Sequence, residues 1–146
     1  MSLDRFDFLG FRVADLHSDH DSACAVLEWH APPRSGGPPI HFHDHTEEGF
    51  YVVRGEIALL IDDDELVRGP GTYTLVRAGQ RHTFWNPGQE PADYLTLISP
   101  PGFEVYLREL ARGLQQAPSE EDAVALRKRL GESYDVTVLG QPRPPG

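Results

Sequence analysis

The residues best placed to do chemistry lie between Pro39 and Gly55. This stretch holds three of the chain's seven histidines and two glutamates, then a β-branched and aromatic run. His41 and His43 are two apart, and on a strand residues two apart point to the same face. Both imidazoles can therefore reach one point in space, as metal ligation requires. Glu48 opens a second alternating run with Phe50 and Val52 in phase. With that phase inward, a carboxylate joins the two imidazoles at the mouth of an apolar interior. The stretch reads as the larger half of a metal site. His45 shares the parity of His41 and His43 but falls in a turn, so a place beside the ligands or on the surface is expected. Glu47 is expected to be exposed.

The elements that must position these groups are mostly short strands. Phe8 to Leu16, Ala23 to His30, Ile40 to His43, Glu48 to Arg54, Ile57 to Ile61, Leu66 to Arg68, Tyr73 to Val76 and Ala92 to Ser99 alternate or are rich in strand-forming residues. His82, Phe84 and Asn86 share one face of a further strand. The Pro32–Pro39 loop delivers the chain to Ile40. Turn signals at close, regular spacing indicate an all-β sandwich or barrel. After Gly102 the period changes. Phe103, Leu107, Leu110 and Leu114 form one helical stripe. Ser119 before Glu120, Glu121 and Asp122 marks a second helix start, and Gly131 can end that helix. Tyr134, Val136 and Val138 suggest a final extended segment, and the tail from Gln141 is expected to be loose. The expected organisation is one domain. Residues 1–99 form the β unit, and residues 100–146 form a two-helix extension and tail.

Composition narrows the function classes. The chain has 146 residues, 25% charged and 39% hydrophobic, with a net charge of −10. Such an acidic balance argues against binding nucleic acid or an anionic membrane. Cys24 is the only cysteine, which excludes an internal disulfide and fits a reducing compartment. The amino terminus lacks the basic start and apolar run of a signal peptide, so a cytoplasmic location is expected. Other polar groups read as ordinary. His17 and His20 are solvated loop residues, Glu28 and His30 lie on an exposed strand face, and Asp62 to Glu65 is a solvated hairpin tip.

Taken together, the two histidine-bearing stretches resemble the two motifs of the cupin superfamily. His41, His43, Glu48 and Gly55 match the first motif (residues 35–55), with Ser35 where its opening Gly would stand. Gly71, Gly79, His82 and Asn86 match the second (residues 71–86), with Arg77 in place of its Pro. That replacement predicts a less rigid turn before His82. Fifteen residues, Glu56 to Pro70, separate the motifs, as in microbial single-domain members. The resemblance covers about residues 35 to 99. It implies a single cupin-type jelly-roll barrel whose metal ligands are His41, His43, Glu48 and His82.

Three imidazoles and one carboxylate suit one divalent transition ion, with Fe, Mn, Ni, Co, Cu and Zn not distinguished by ligand type. Four protein ligands leave room for a substrate on a five- or six-coordinate ion. Phe50, Val52 and Phe84 are expected to line an apolar small-molecule pocket. The C-terminal pattern loosely resembles small bacterial quercetin 2,3-dioxygenase-like cupins. That implies a dioxygenase acting on a flavonol or another enolic aromatic, with Glu48 as both ligand and catalytic base. Two other readings stay open: a Lewis-acid isomerase or polyketide cyclase, and a non-catalytic binding module. A homodimer is the family habit.

Overall fold

The structure is a computed structural model that describes residues 4–146. Met1 to Leu3, part of the expected leaderless start, lie outside the described residues. The strands are β1 (Asp4–Phe8), β2 (Phe11–His17), β3 (Ala25–Ala31), β4 (His41–Phe42), β5 (Glu47–Arg54), β6 (Ile57–Ile61), β7 (Asp64–Arg68), β8 (Tyr73–Val76), β9 (His82–Trp85), β10 (Ala92–Ser99) and β11 (Thr137–Val138). The helices are α1 (Phe103–Gln116) and α2 (Glu120–Tyr134).

The strands form two antiparallel sheets. One has the order β1-β2-β3-β10-β5-β8 and the other β11-β4-β9-β6-β7. The fold is the expected all-β jelly roll with a two-helix extension, but the two sheets do not close into one hydrogen-bonded ring. Alternation places the core between them. In β3, Ala25, Leu27, Trp29 and Ala31 point inward, and in β10 Ala92, Tyr94, Thr96 and Ile98 do so. Trp29 anchors this interior. It stacks on Tyr94 at 6.0 Å and meets Phe84 edge-on at 5.1 Å. Its indole N–H donates to Thr96 Oγ1 at 3.0 Å, so burial leaves no orphan donor.

Several elements differ from their sequence reading. The expected first strand from Phe8 is a hairpin, with Phe8 opposite Phe11. Leu9 and Gly10 turn it with φ of 50° and 87°, the left-handed pair that suits the twist of a two-residue hairpin loop. Gly131 does not end α2, which runs on to Tyr134. A Cβ at Gly131 would lie 2.3 Å from the Val136 carbonyl oxygen, so glycine here serves close packing. Asp135, left-handed at φ 61°, is the actual cap. The final strand therefore shortens to Thr137–Val138.

The tail is not loose. Gly37 and Arg143 exchange two backbone hydrogen bonds of 3.0 and 2.9 Å. The Arg143 guanidinium lies 3.8 Å over the Trp85 ring, a cation–π contact. This approach depends on small residues in the Pro/Gly loop. A Cβ at Gly36 would meet the Arg143 carbonyl oxygen at 2.1 Å, and one at Gly37 would meet the Phe84 carbonyl oxygen at 2.1 Å.

Gly37→Ala therefore forces backbone apart directly behind β9. An expected loss of about 1–3 kcal/mol of stability is readable as a lower midpoint in urea unfolding. An unchanged midpoint would contradict the close approach.

Candidate metal centre

The local folding of β4, β5 and β9 brings the site together. His41 on β4 pairs directly with His82 on β9. Glu48 on β5 lies in the facing sheet, between Val76 of β8 and Ile98 of β10. Inward alternation buries Glu48, Phe50 and Val52 while Tyr51 and Val53 face out. One ligand atom from each of His41, His43, Glu48 and His82 lies within 4.8 Å of all the others. The Glu48 Oε2 atom is 3.9 Å from His43 Nε2 and 3.8 Å from His82 Nε2. Donors about 2.0–2.2 Å from one shared ion would be spaced by about 3–4 Å, so the arrangement has the right size.

Hydrogen bonding decides which nitrogens are free. His41 Nδ1–H donates to the Pro39 carbonyl at 2.8 Å, His43 Nδ1–H to the Asp135 carbonyl at 2.9 Å, and His82 Nδ1–H to the Gln80 carbonyl at 2.9 Å. A carbonyl only accepts, so each neutral ring keeps its proton on Nδ1 and leaves a lone pair on Nε2. All three Nε2 atoms and both Glu48 oxygens are buried without a hydrogen-bond partner. Buried polar atoms without partners are costly. A cation accepts four of these groups at once, so the donor set fits one divalent ion. Burial, reinforced by the neighbouring His82 and His43, holds the His41 pKa well below its usual value. Burial likewise lowers that of His43, although Glu48 opposes it. Both effects favour the neutral imidazole that a metal requires.

The backbone around the site is tightly braced. Asp135, at the end of α2, accepts from the backbone N–H groups of Asp44 and His45 at 2.8 and 2.9 Å and from Thr46 Oγ1 at 3.1 Å. Burial alone would raise its pKa, but these three donors lower it. One residue thus holds the β4–β5 turn with its side chain and orients His43 with its carbonyl. No motif spacing could have found it, 92 residues from His43. Arg77 does not loosen the turn before His82. Its N–H donates to Gln80 Oε1 at 2.9 Å, a bond proline could not make, and Gly79 N–H donates to the His43 carbonyl at 2.7 Å. Ser35 replaces the motif glycine usefully, since its Oγ accepts the Asn86 N–H at 2.9 Å.

The site is covered. Phe103, the first residue of α1, stacks against His41 at 5.8 Å and meets His43 edge-on at 4.6 Å. The cavity beside His41 is only about 20 Å³, room for about one water. Phe84, Phe103 and Tyr106 are among its walls. Of the three expected pocket residues, Phe84 lines this cavity. Phe50 and Val52 do not. They sit in the packed core, with Phe50 5.2 Å from Phe84. His45 is exposed at the turn, His17 and His20 are exposed, and His30 is an exposed partner of Asp93 at 2.6 Å.

Two outcomes follow from the geometry. Burial makes His41 and His43 titrate lower in the fold than in the unfolded chain, so acid protonates the unfolded form first. Metal-free protein should lose stability as pH falls through about 6.5, by up to about 1.4 kcal/mol per pH unit for each imidazole. A flat urea midpoint between pH 7.5 and 5.5 would contradict this. Asp135→Ala removes three acceptor contacts and should weaken divalent-metal affinity about 10–100-fold in a competition assay with a chromophoric chelator. Native affinity would show that the turn positions itself.

Residues 27–98 match the family described as the Cupin domain, Cupin_2. No curated protein matches the chain. Solved structures share the fold. A double-stranded β-helix protein from Klebsiella pneumoniae is 24% identical, with 60% of this chain and 75% of that one covered at a TM-score of 0.54. A predicted oxalate decarboxylase from Thermotoga maritima is 22% identical, with 67% and 91% covered at 0.59. A cupin-superfamily sugar phosphate isomerase from Silicibacter pomeroyi is 22% identical, with 69% and 73% covered at 0.57. Residues 27–98 thus carry the match to the Cupin domain, on a jelly-roll fold that the chain shares with these structures.

Proposed function

We propose that this chain is a metal-dependent enzyme in which His41, His43, Glu48 and His82 hold one divalent transition ion, and that it oxygenates a small enolic molecule of flavonol type. The observation that carries the metal reading is the set of three Nε2 atoms and a carboxylate, all buried and lacking partners, around one point. The bound ion supplies Lewis acidity and a template for the substrate hydroxyl. Glu48 has two unpartnered oxygens, so one can ligate while the other takes the hydroxyl proton. Phe84, Phe103 and Tyr106 keep bulk water away from that transfer. Dioxygen is the co-substrate that opens the ring.

One specific observation favours a second reading. A flavonol far exceeds a cavity of about 20 Å³, and Phe103 packs directly on His41 and His43. A smaller substrate, rearranged without oxygen, needs less movement of α1. Two of the structures sharing this fold are named as a decarboxylase and an isomerase.

Oxygen consumption separates the two readings. Protein loaded in turn with Fe, Mn, Ni, Co or Cu should take up oxygen with quercetin. His41→Ala with His43→Ala should abolish both metal content and uptake. Glu48→Gln should slow kcat at least about 100-fold in protein that still carries metal. No uptake with any of these ions, or equal turnover without oxygen, would reject the dioxygenase.

A further inference from the structure

Five of the chain's twelve arginines form ion pairs among the described residues. Arg12, Arg54, Arg77, Arg81 and Arg108 each meet a carboxylate, at shortest distances between 2.8 and 3.9 Å. All five side chains are at least 29% exposed, although Arg108 Nε is, like Arg127 Nε, buried without a hydrogen-bond partner. Arg127, on α2, is the reverse case. It is only 6% exposed, its Nε has no hydrogen-bond partner, and among the described residues it joins none of these ion pairs. A guanidinium nitrogen buried without a hydrogen-bond partner is costly in a folded protein. It points to an anion that completes the site.

Arg127 lines a groove of about 450 Å³ between α2 and the segment 136–141. Val124, Val136 and Val138 form its apolar walls, and Lys128 and Glu132 stand on its rim. Two cations and one carboxylate leave one unit of positive charge, which matches a single negative charge. Glu132 and the acidic net charge of −10 disfavour a polyanion. The planar guanidinium fork matches a carboxylate bidentately, and the valines suit a hydrocarbon or aromatic body.

The groove also adjoins the interior, since Val136 and Val138 line the cavity beside His41 as well. Tyr106, in that cavity wall, feels Arg127. Burial pushes the phenol pKa up to about 12 against the lowering effect of that guanidinium.

We propose that the groove between α2 and residues 136–141 is a binding site for a small monocarboxylate with an apolar body, with Arg127 as its anchor. This goes beyond the metal reading and does not depend on it. The site lies on the C-terminal extension, and an occupant sits against the far side of the wall that bounds the metal candidate.

Benzoate is the probe. Calorimetric titration of the full chain, both metal-loaded and chelator-treated, should show one benzoate site in each state, and benzamide should not bind. Arg127→Met should weaken benzoate at least tenfold, with Arg127→Lys between the two. Without ligand, Arg127→Met should melt no lower than the native chain, because it removes a buried, unpartnered Nε and breaks no ion pair. Native-strength benzoate binding by Arg127→Met would overturn the proposal, as would binding of inorganic phosphate but not benzoate. Benzoate binding only in the metal-loaded state, indifferent to Arg127, would place the acid on the metal and leave the groove empty. An Arg127→Met chain that melts lower and shifts from dimer to monomer in size exclusion would show that a second copy supplies the counter-charge.

Discussion

Three hydrogen bonds to backbone carbonyls govern this site. Pro39, Asp135 and Gln80 each take the Nδ1–H of one imidazole. That choice fixes three tautomers and turns three Nε2 lone pairs toward the Glu48 carboxylate. Left alone, such a cluster is an electrostatic fault, with acceptors facing acceptors in a dry interior. One shared cation would convert the fault into a bond network. The aromatic core built on Trp29, Phe84 and Tyr94 supplies the stiffness that keeps the arrangement from relaxing.

The C-terminal extension belongs to the site rather than hanging from it. α1 places Phe103 on His41 and His43, and its apolar stripe packs on the jelly roll. Buried Glu104 accepts from Ser18 Oγ at 2.9 Å, and Arg108 reaches Asp15 at 3.0 Å, so α1 is tied to the first hairpin and the loop that follows it. α2 then delivers Asp135 to the β4–β5 turn. Access to the candidate centre is therefore coupled to the packing of two helices. Among the described residues, neither helix is long and apolar enough to cross a membrane.

Much of this was legible because strand physics is local. Period-two alternation puts Glu48 with Phe50 and Val52 on one face, and His43, just past the end of β4, keeps the parity of His41. Motif spacing then paired these groups with His82. What could not be read depends on distant contacts or atypical turns. Leu9 adopts a left-handed turn that its side chain disfavours, so the first hairpin looked like one strand. Gly131 looked like a helix stop because a close approach and a C-cap leave the same residue type. The tail looked loose because its anchors are distant in sequence, with Trp85 58 residues and Gly37 106 residues before Arg143. The small cavity was equally hidden, since helix placement sets it rather than any strand.

The central claim is that four named side chains share one cation, and X-ray absorption at the edge of the bound metal tests it most directly. The account predicts three imidazole nitrogens at about 2.0–2.1 Å and one or two oxygens at about 2.0–2.2 Å, with one imidazole shell lost in His82→Ala. A first shell made only of oxygen atoms, or an unchanged spectrum in His82→Ala, would contradict it.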